Sequence, residues 1–206
     1  MNFFAIDTSA EYLTVLAQLD GKRFCVHKTD CAMKHSTLLM PTVDELLRSA
    51  TAKIADFDCF ACVGGAGAFT GIRIGIATAK GFALATGKPT LPITSFALAA
   101  YTIKEDKILA LSDALHGAYY ACGYEKGKQV LPPSYLTGEE VEGLISQGFT
   151  PVSYADLPLA NVQKFSPADG LYAAVQGEIE KGAFGELCAL YIRKSQAELN
   201  REKGEI

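Results

Sequence analysis

Residues 64–73, Gly-Gly-Ala-Gly-Ala-Phe-Thr-Gly-Ile-Arg, decide how this chain folds. An apolar run, 57–63, precedes them and reads as a buried strand, and a helix-periodic stretch, 70–86, follows. Glycine tolerates positive φ and close backbone approach, so the segment reads as a tight strand-to-helix turn of an α/β fold. Free amides at a helix N-terminus also attract anions. Two readings stand: a loop that holds a phosphate or nucleotide, with Gly65 and Gly67 as its residues, or a turn that binds nothing. Two sharper phosphate motifs are absent. No glycine is followed five residues on by Gly-Lys, and no Asp or Glu lies between Asp58 and Glu105 to meet a ribose after the Gly65, Gly67, Gly71 spacing.

Working outward, the helix stops where it should, with Gly87 as its cap and Pro89 two residues later. Along it Gly71, Gly75, Ala79, Ala83 and Gly87 recur every four residues. Such a stripe lets another backbone approach closely, either the chain's own sheet or a partner helix. Upstream, 3–7, 12–19 and 23–28 read as three strands, with Asp20-Gly21 turning the second into the third. A helix over 36–49 follows, with Ser36 as its cap and Leu39, Val43, Leu46 and Leu47 at helical spacing. Downstream come a strand over 89–93 and a helix that Ser95 would cap.

The second half restarts the pattern. Strands are predicted over 108–112 and 118–124, then a turn at Lys126-Gly127, a strand from Gln129 and a helix over 139–147. Asp7 and Asp113 each end a strand, and Gly21 and Gly127 each sit in a turn, both pairs 106 residues apart. Two landmarks at one offset predict a duplicated lobe, with residues 1–104 forming one copy and 105–206 a smaller second copy.

The bulk properties narrow the function. Of 206 residues, 49% are hydrophobic and 20% charged, which suits an ordinary globular core. A net charge of −4 excludes a broad nucleic-acid surface, which needs clustered basic residues. The N-terminus reads as a first strand rather than a signal peptide, no run reaches membrane length, and a cytoplasmic location is expected. The six cysteines are expected as buried thiols. Cys59 and Cys62 have redox-motif spacing, but three residues apart on a strand they face opposite ways. The three histidines, His27, His35 and His116, form no metal or nucleophile motif. Asp7, Thr8, Ser9 and Asp113, at strand ends, are either phosphate–magnesium contacts or turn residues that satisfy backbone amides.

With these residues in view, the chain resembles the TsaB (YeaZ) family. The resemblance rests on Ala5-Ile6-Asp7-Thr8-Ser9, on His35-Ser36 followed by Leu38-Leu39-Met40-Pro41 and Val43-Asp44, and on the whole stretch 64–84. Pro92-Ile93-Thr94-Ser95 and Tyr191-Ile192-Arg193 fit more loosely. Ala66 and Ala68 depart from the family's Gly-Pro-Gly-Ser-Phe-Thr-Gly loop, and Leu115 from its Asp-Ala-Arg.

The resemblance implies an α/β actin-like/Hsp70-like (ASKHA) fold of two ribonuclease-H-like lobes. It also implies a non-catalytic scaffold in forming N6-threonylcarbamoyladenosine beside the anticodon of tRNA. The expected partners are a catalytic TsaD-type paralogue and a TsaE-type ATPase, with a homodimer when the chain is alone and tRNA met only through the complex. Partner contact is expected from the first-lobe helices: His35, Leu39, Val43, Thr70, Gly71, Arg73, Gly75 and Ala79. The chain alone is expected to hold no metal or cofactor, and ATP or ADP is expected only at the boundary with partners. The paralogue's metal helix reads His-x-x-x-His; here Ser95 and Ala99 stand at those positions, and neither supplies an imidazole. The competing readings are a metal-dependent glycoprotease-like peptidase, which needs metal ligands, and a stand-alone actin-fold kinase, which is generally a much longer chain.

Overall fold

The computed structural model describes residues 1–192. The first sheet holds β1 (Phe3–Asp7), β2 (Leu13–Leu19), β3 (Lys22–Lys28), β4 (Cys59–Val63) and β5 (Thr90–Ile93), in the order β3-β2-β1-β4-β5. β1, β2 and β3 form an antiparallel meander, while β4 and β5 run parallel to β1. The second sheet holds β6 (Lys107–Asp113), β7 (Ala118–Glu125), β8 (Lys128–Thr137), β9 (Thr150–Ser153) and β10 (Gln163–Lys164). Its order, β8-β7-β6-β9-β10, and its strand directions repeat the first.

The repeat extends to backbone geometry. Asp20-Gly21 has φ of 49° and 77°, and Lys126-Gly127 has 48° and 74°. Positive φ at both central residues is what a two-residue hairpin turn needs to match the twist of its strands.

Five helices fill the layers: α1 (His35–Ala50), α2 (Phe69–Thr86), α3 (Ser95–Thr102), α4 (Gly138–Ser146) and α5 (Pro167–Glu180). α1 and α2 cover one face of the first sheet, packing Leu39, Val43, Leu46 and Ala79 against Phe4, Ile6, Val15 and Phe60. β1 is buried on both faces, which is why it reads as an unbroken apolar run rather than an alternating one. Its other face, with Phe3, Ala5, Leu16 and Leu91, is taken by Leu98 of α3 and by Leu171, Ala174 and Val175 of α5. α3 also gives Phe96 and Ala99 to the second sheet, against Ala110, Cys122 and Val152. Two helices distant in sequence therefore form the layer between the sheets.

Several boundaries differ from the sequence reading. α1 begins at His35, with Lys34 at the cap position and no side-chain cap, so Ser36 lies inside the helix. Thr94, not Ser95, caps α3: its hydroxyl accepts from the Ala97 amide. In the first lobe α2 joins β4 to β5, whereas 154–162, between β9 and β10, holds no helix. Beyond α5 the chain returns to the first lobe. The Gly185 amide donates to the Thr90 carbonyl at 3.0 Å and the Leu190 amide to the Gly64 carbonyl at 2.7 Å. Leu187 is buried in the core between α1, α2 and the sheet. Arg193, the end of the Tyr191-Ile192-Arg193 motif, lies outside the described residues.

The six cysteines are all free thiols. Cys59 and Cys62 belong to the cores on opposite faces of the sheet, and burial pushes the Cys59 thiol up to about 12. Cys25 and Cys188 are exposed, against the expectation of burial throughout, because β3 is an edge strand and Cys188 lies on the returning segment. Among the described residues no helix is long and apolar enough to cross a membrane.

Candidate functional site

The C-terminal ends of β1 and β6, the central strands of the two sheets, open onto a cleft of about 610 Å³. Ligands of open α/β sheets gather at such ends, where loops rather than strands form the walls. One wall is the loop after β1 (Ser9 to Tyr12) with the glycine turn (Ala66 to Gly71). The other is the end of β6 (Ala110 to Leu115) with Tyr120 and Tyr154, and the N-terminus of α3 (Ser95, Phe96) lies between them. Among the described residues no lysine or arginine lines it.

Asp7 does not face this cleft. It is fully buried, and its carboxylate accepts from the Ser9 amide at 2.9 Å, the Ser9 hydroxyl at 2.6 Å and the Tyr12 hydroxyl at 2.9 Å. Burial raises the carboxyl above its usual range, against the opposing pull of those hydrogen bonds. Of the two readings of Asp7, the turn residue is the one the geometry matches. Thr8 is also turned inwards, donating to the Gly71 carbonyl at 2.7 Å, and only Ser9 of the three lines the cleft. Asp113, which ends the equivalent strand, does line the cleft, is exposed, and accepts from the Leu115 amide at 2.7 Å.

The glycine turn owes its composition to neighbouring chain. A Cβ on Gly64 would stand 2.6 Å from the Cys188 carbonyl oxygen and one on Gly65 2.9 Å from that of Leu190. At Gly67 a Cβ would collide with the Ser9 carbonyl. The returning segment 183–192 and the loop after β1 thus occupy the space that a side chain would need at these glycines, and Gly67 also lines the cleft.

The stripe on α2 is likewise intramolecular. Gly71 lies against the Thr8 carbonyl, Gly75 against the Thr8 hydroxyl and Cys62, and Ala79 in the core. His35, Leu39 and Val43 of α1 are buried too, and His35 Nε2 sits 3.0 Å from the Tyr12 carbonyl. Six of the eight residues named for partner contact therefore hold the first lobe together, because the small side chains are what lets α2 settle onto β1. Only Thr70 and Arg73 are exposed. The Arg73 guanidinium lies 3.7 Å over the Phe69 ring, its Nε donates to the Tyr191 hydroxyl at 2.7 Å, and Tyr191 stacks on Phe69 at 4.9 Å.

The opposite side of α2 carries what the inward stripe does not. Ala77, Gly81 and Ala85, again four apart, are exposed, and Leu84 beside them is 87% exposed. A Cβ on Gly81 would meet nothing within 4 Å. Met40 is exposed on α1, which packs against α2. The same four-residue spacing was legible in the sequence, but the inward series, richer in glycine, masked it.

Among the described residues no three His, Cys, Asp or Glu side chains converge to hold a metal ion. Ser95 and Ala99 lie one turn apart on α3 and both line the cleft, so the face that would need imidazoles offers a hydroxyl and a methyl.

Comparison with known proteins fits this architecture. The family model described as TsaD, tRNA N6-adenosine threonylcarbamoyltransferase, matches residues 22–198. The tRNA threonylcarbamoyladenosine biosynthesis protein TsaB of Escherichia coli is 30% identical over 149 residues. That match covers 70% of this chain, and this chain spans only 62% of the E. coli protein's length. The TsaB protein of Buchnera aphidicola is 30% identical over 68% of this chain and 67% of its own length. Among solved structures, YeaZ from Pseudomonas aeruginosa superposes with a TM-score of 0.73 at 24% identity, over 92% of this chain and 99% of that one. This last likeness bears on the fold.

Proposed function

Because this chain belongs to the TsaB (YeaZ) family, we propose that it is a non-catalytic subunit in forming N6-threonylcarbamoyladenosine in tRNA, acting through a TsaD-type paralogue. The observation that carries this reading is the exposed outer side of α2, with Ala77, Gly81 and Ala85 in line and Leu84 nearly free of protein cover. Small residues permit a partner helix to come close, and an exposed leucine supplies apolar area to bury. α1 and α2 are then the docking face, and the Arg73–Phe69–Tyr191 stack marks one end of it. In isolation the same face would pair two copies of this chain.

The cleft supports the non-catalytic part of the reading. A nucleoside polyphosphate needs cations or free amides around its phosphates. Among the described residues this cleft offers Glu11 and Asp113 instead, and no lysine or arginine. ATP or ADP, and a TsaE-type ATPase that acts on it, would meet this subunit at the boundary with the paralogue. Contact with tRNA would likewise come through the complex, since the chain's net charge is −4.

Co-expression with a tagged TsaD-type protein tests the docking face. Gly81→Arg changes an exposed position with no neighbour to disturb, so the variant should fold as the parent does yet fail to co-purify. Gly75→Leu does not serve, because its side chain would enter Thr8 and Cys62 and damage the fold first. Reconstituted tRNA modification should drop to background when this chain is left out. Normal co-purification of Gly81→Arg, or tRNA modification by this chain alone, would overturn the proposal.

A further inference from the structure

The cleft has a chemistry distinct from the docking face. Six aromatic rings line it: Tyr12, Phe69, Phe96, Tyr120, Tyr154 and Phe165. Tyr12 meets Tyr154 edge-on with centroids 5.1 Å apart, and Tyr154 meets Phe165 at 6.5 Å, so the aromatic wall continues from one lobe into the other. Among the described residues its carboxylates are Glu11 and Asp113, one from each lobe. Glu11 Oε2 accepts from the Tyr154 hydroxyl at 2.9 Å, and Asp113 Oδ1 accepts from the Leu115 amide at 2.7 Å. The Tyr154 phenol is held well above its ordinary range, first by burial, then by its bond to Glu11 and the charges of Glu11, Asp7 and Asp113.

We propose that the cleft binds a small organic cation, an aliphatic or aromatic body carrying one ammonium or guanidinium group and no phosphate. The half-buried rings of Tyr120, Tyr154 and Phe165 attract such a cation through their quadrupoles. Glu11 and Asp113 neutralise it. A volume of about 610 Å³ lies within the ordinary range for small-molecule sites. The proposal does not depend on the docking role of α2.

Titration calorimetry of the full chain with tryptamine and with indole-3-propionate, the same ring bearing opposite charges, tests it. Tryptamine should bind saturably, and the acid should bind at least about tenfold more weakly. Asp113→Asn and Glu11→Gln keep the oxygen that each residue uses within the protein, so their folding should match the parent by circular dichroism. Each should weaken tryptamine about fivefold or more, with indole-3-propionate gaining relative to it. Absent saturable binding of tryptamine, equal binding of the two ligands, or unchanged tryptamine affinity in both variants would overturn the proposal.

Discussion

Asp7 and Asp113 close equivalent strands of the two sheets, yet the first is sealed and the second faces the cleft. The difference lies in their neighbours. Ser9 and Tyr12 fold back to donate three hydrogen bonds to Asp7, whereas the loop after Asp113, with Leu115, His116 and Gly117 all at positive φ, turns away. Asp7 has a testable signature. Burial holds its native carboxyl above the ordinary value of 3.8. Above 3.8 the native state thus binds more protons at this residue than the unfolded chain does. Its contribution to stability is full at low pH and is lost as pH rises through the native value. Asp7→Asn should remove that loss. Urea midpoints of variant and parent, compared from about pH 4 to about pH 7, should move apart in the variant's favour as pH rises. Parallel curves would mean that the carboxyl does not titrate as its burial implies.

At the scale of elements, α2 has two small-residue faces with opposite duties. The inner one meets β1 and the loop behind it; the outer one meets solvent in the isolated chain. The same substitution should therefore have opposite signs on the two sides. Gly71→Ala would drive a methyl into the Thr8 carbonyl, and overpacking of this kind costs about 1–3 kcal/mol. Gly81→Ala has open space around it and replaces a poor helix former, so it should stabilise by about 0.5–1 kcal/mol. Chemical denaturation of the isolated variants reads both values. Destabilisation by Gly81→Ala would show that the outer face is already packed.

For the whole molecule, the order of packing is not the order of the chain. α5 comes from the second half of the sequence but covers the first sheet, and the segment after it returns to lie against the glycine turn. The two lobes are consequently interlocked, and Leu187 of the returning segment is part of the first lobe's core. Leu187→Ala should leave a cavity there and cost about 2–5 kcal/mol, lowering a single unfolding transition. A loss below about 1 kcal/mol would mean that the returning segment is dispensable, since fully buried leucines do not behave that way.

The strands of both meanders, the helices α1 to α4 and the family were legible in the amino-acid sequence. Those features rest on local signals: period-2 and period-3.6 patterns, Gly21 and Gly127 in turns, and Gly87 at a helix end. It also determined that Cys59 and Cys62 stand apart, because strand alternation alone decides that. Sequence reading placed no element beyond Gln147, where β9, β10 and α5 are short or carry Gly170 and Gly177 in place of a clean apolar stripe. It took the three-dimensional packing to show which side of α2 is inward, that neighbouring chain leaves no room for a Cβ at Gly65 and Gly67, and that Glu11 and Asp113 share a cleft. The physical reason is one of range. A side chain's period along its own element is a local property, but whether a face or a glycine is covered depends on segments more than 100 residues away, such as Cys188 and Leu190 against Gly64 and Gly65.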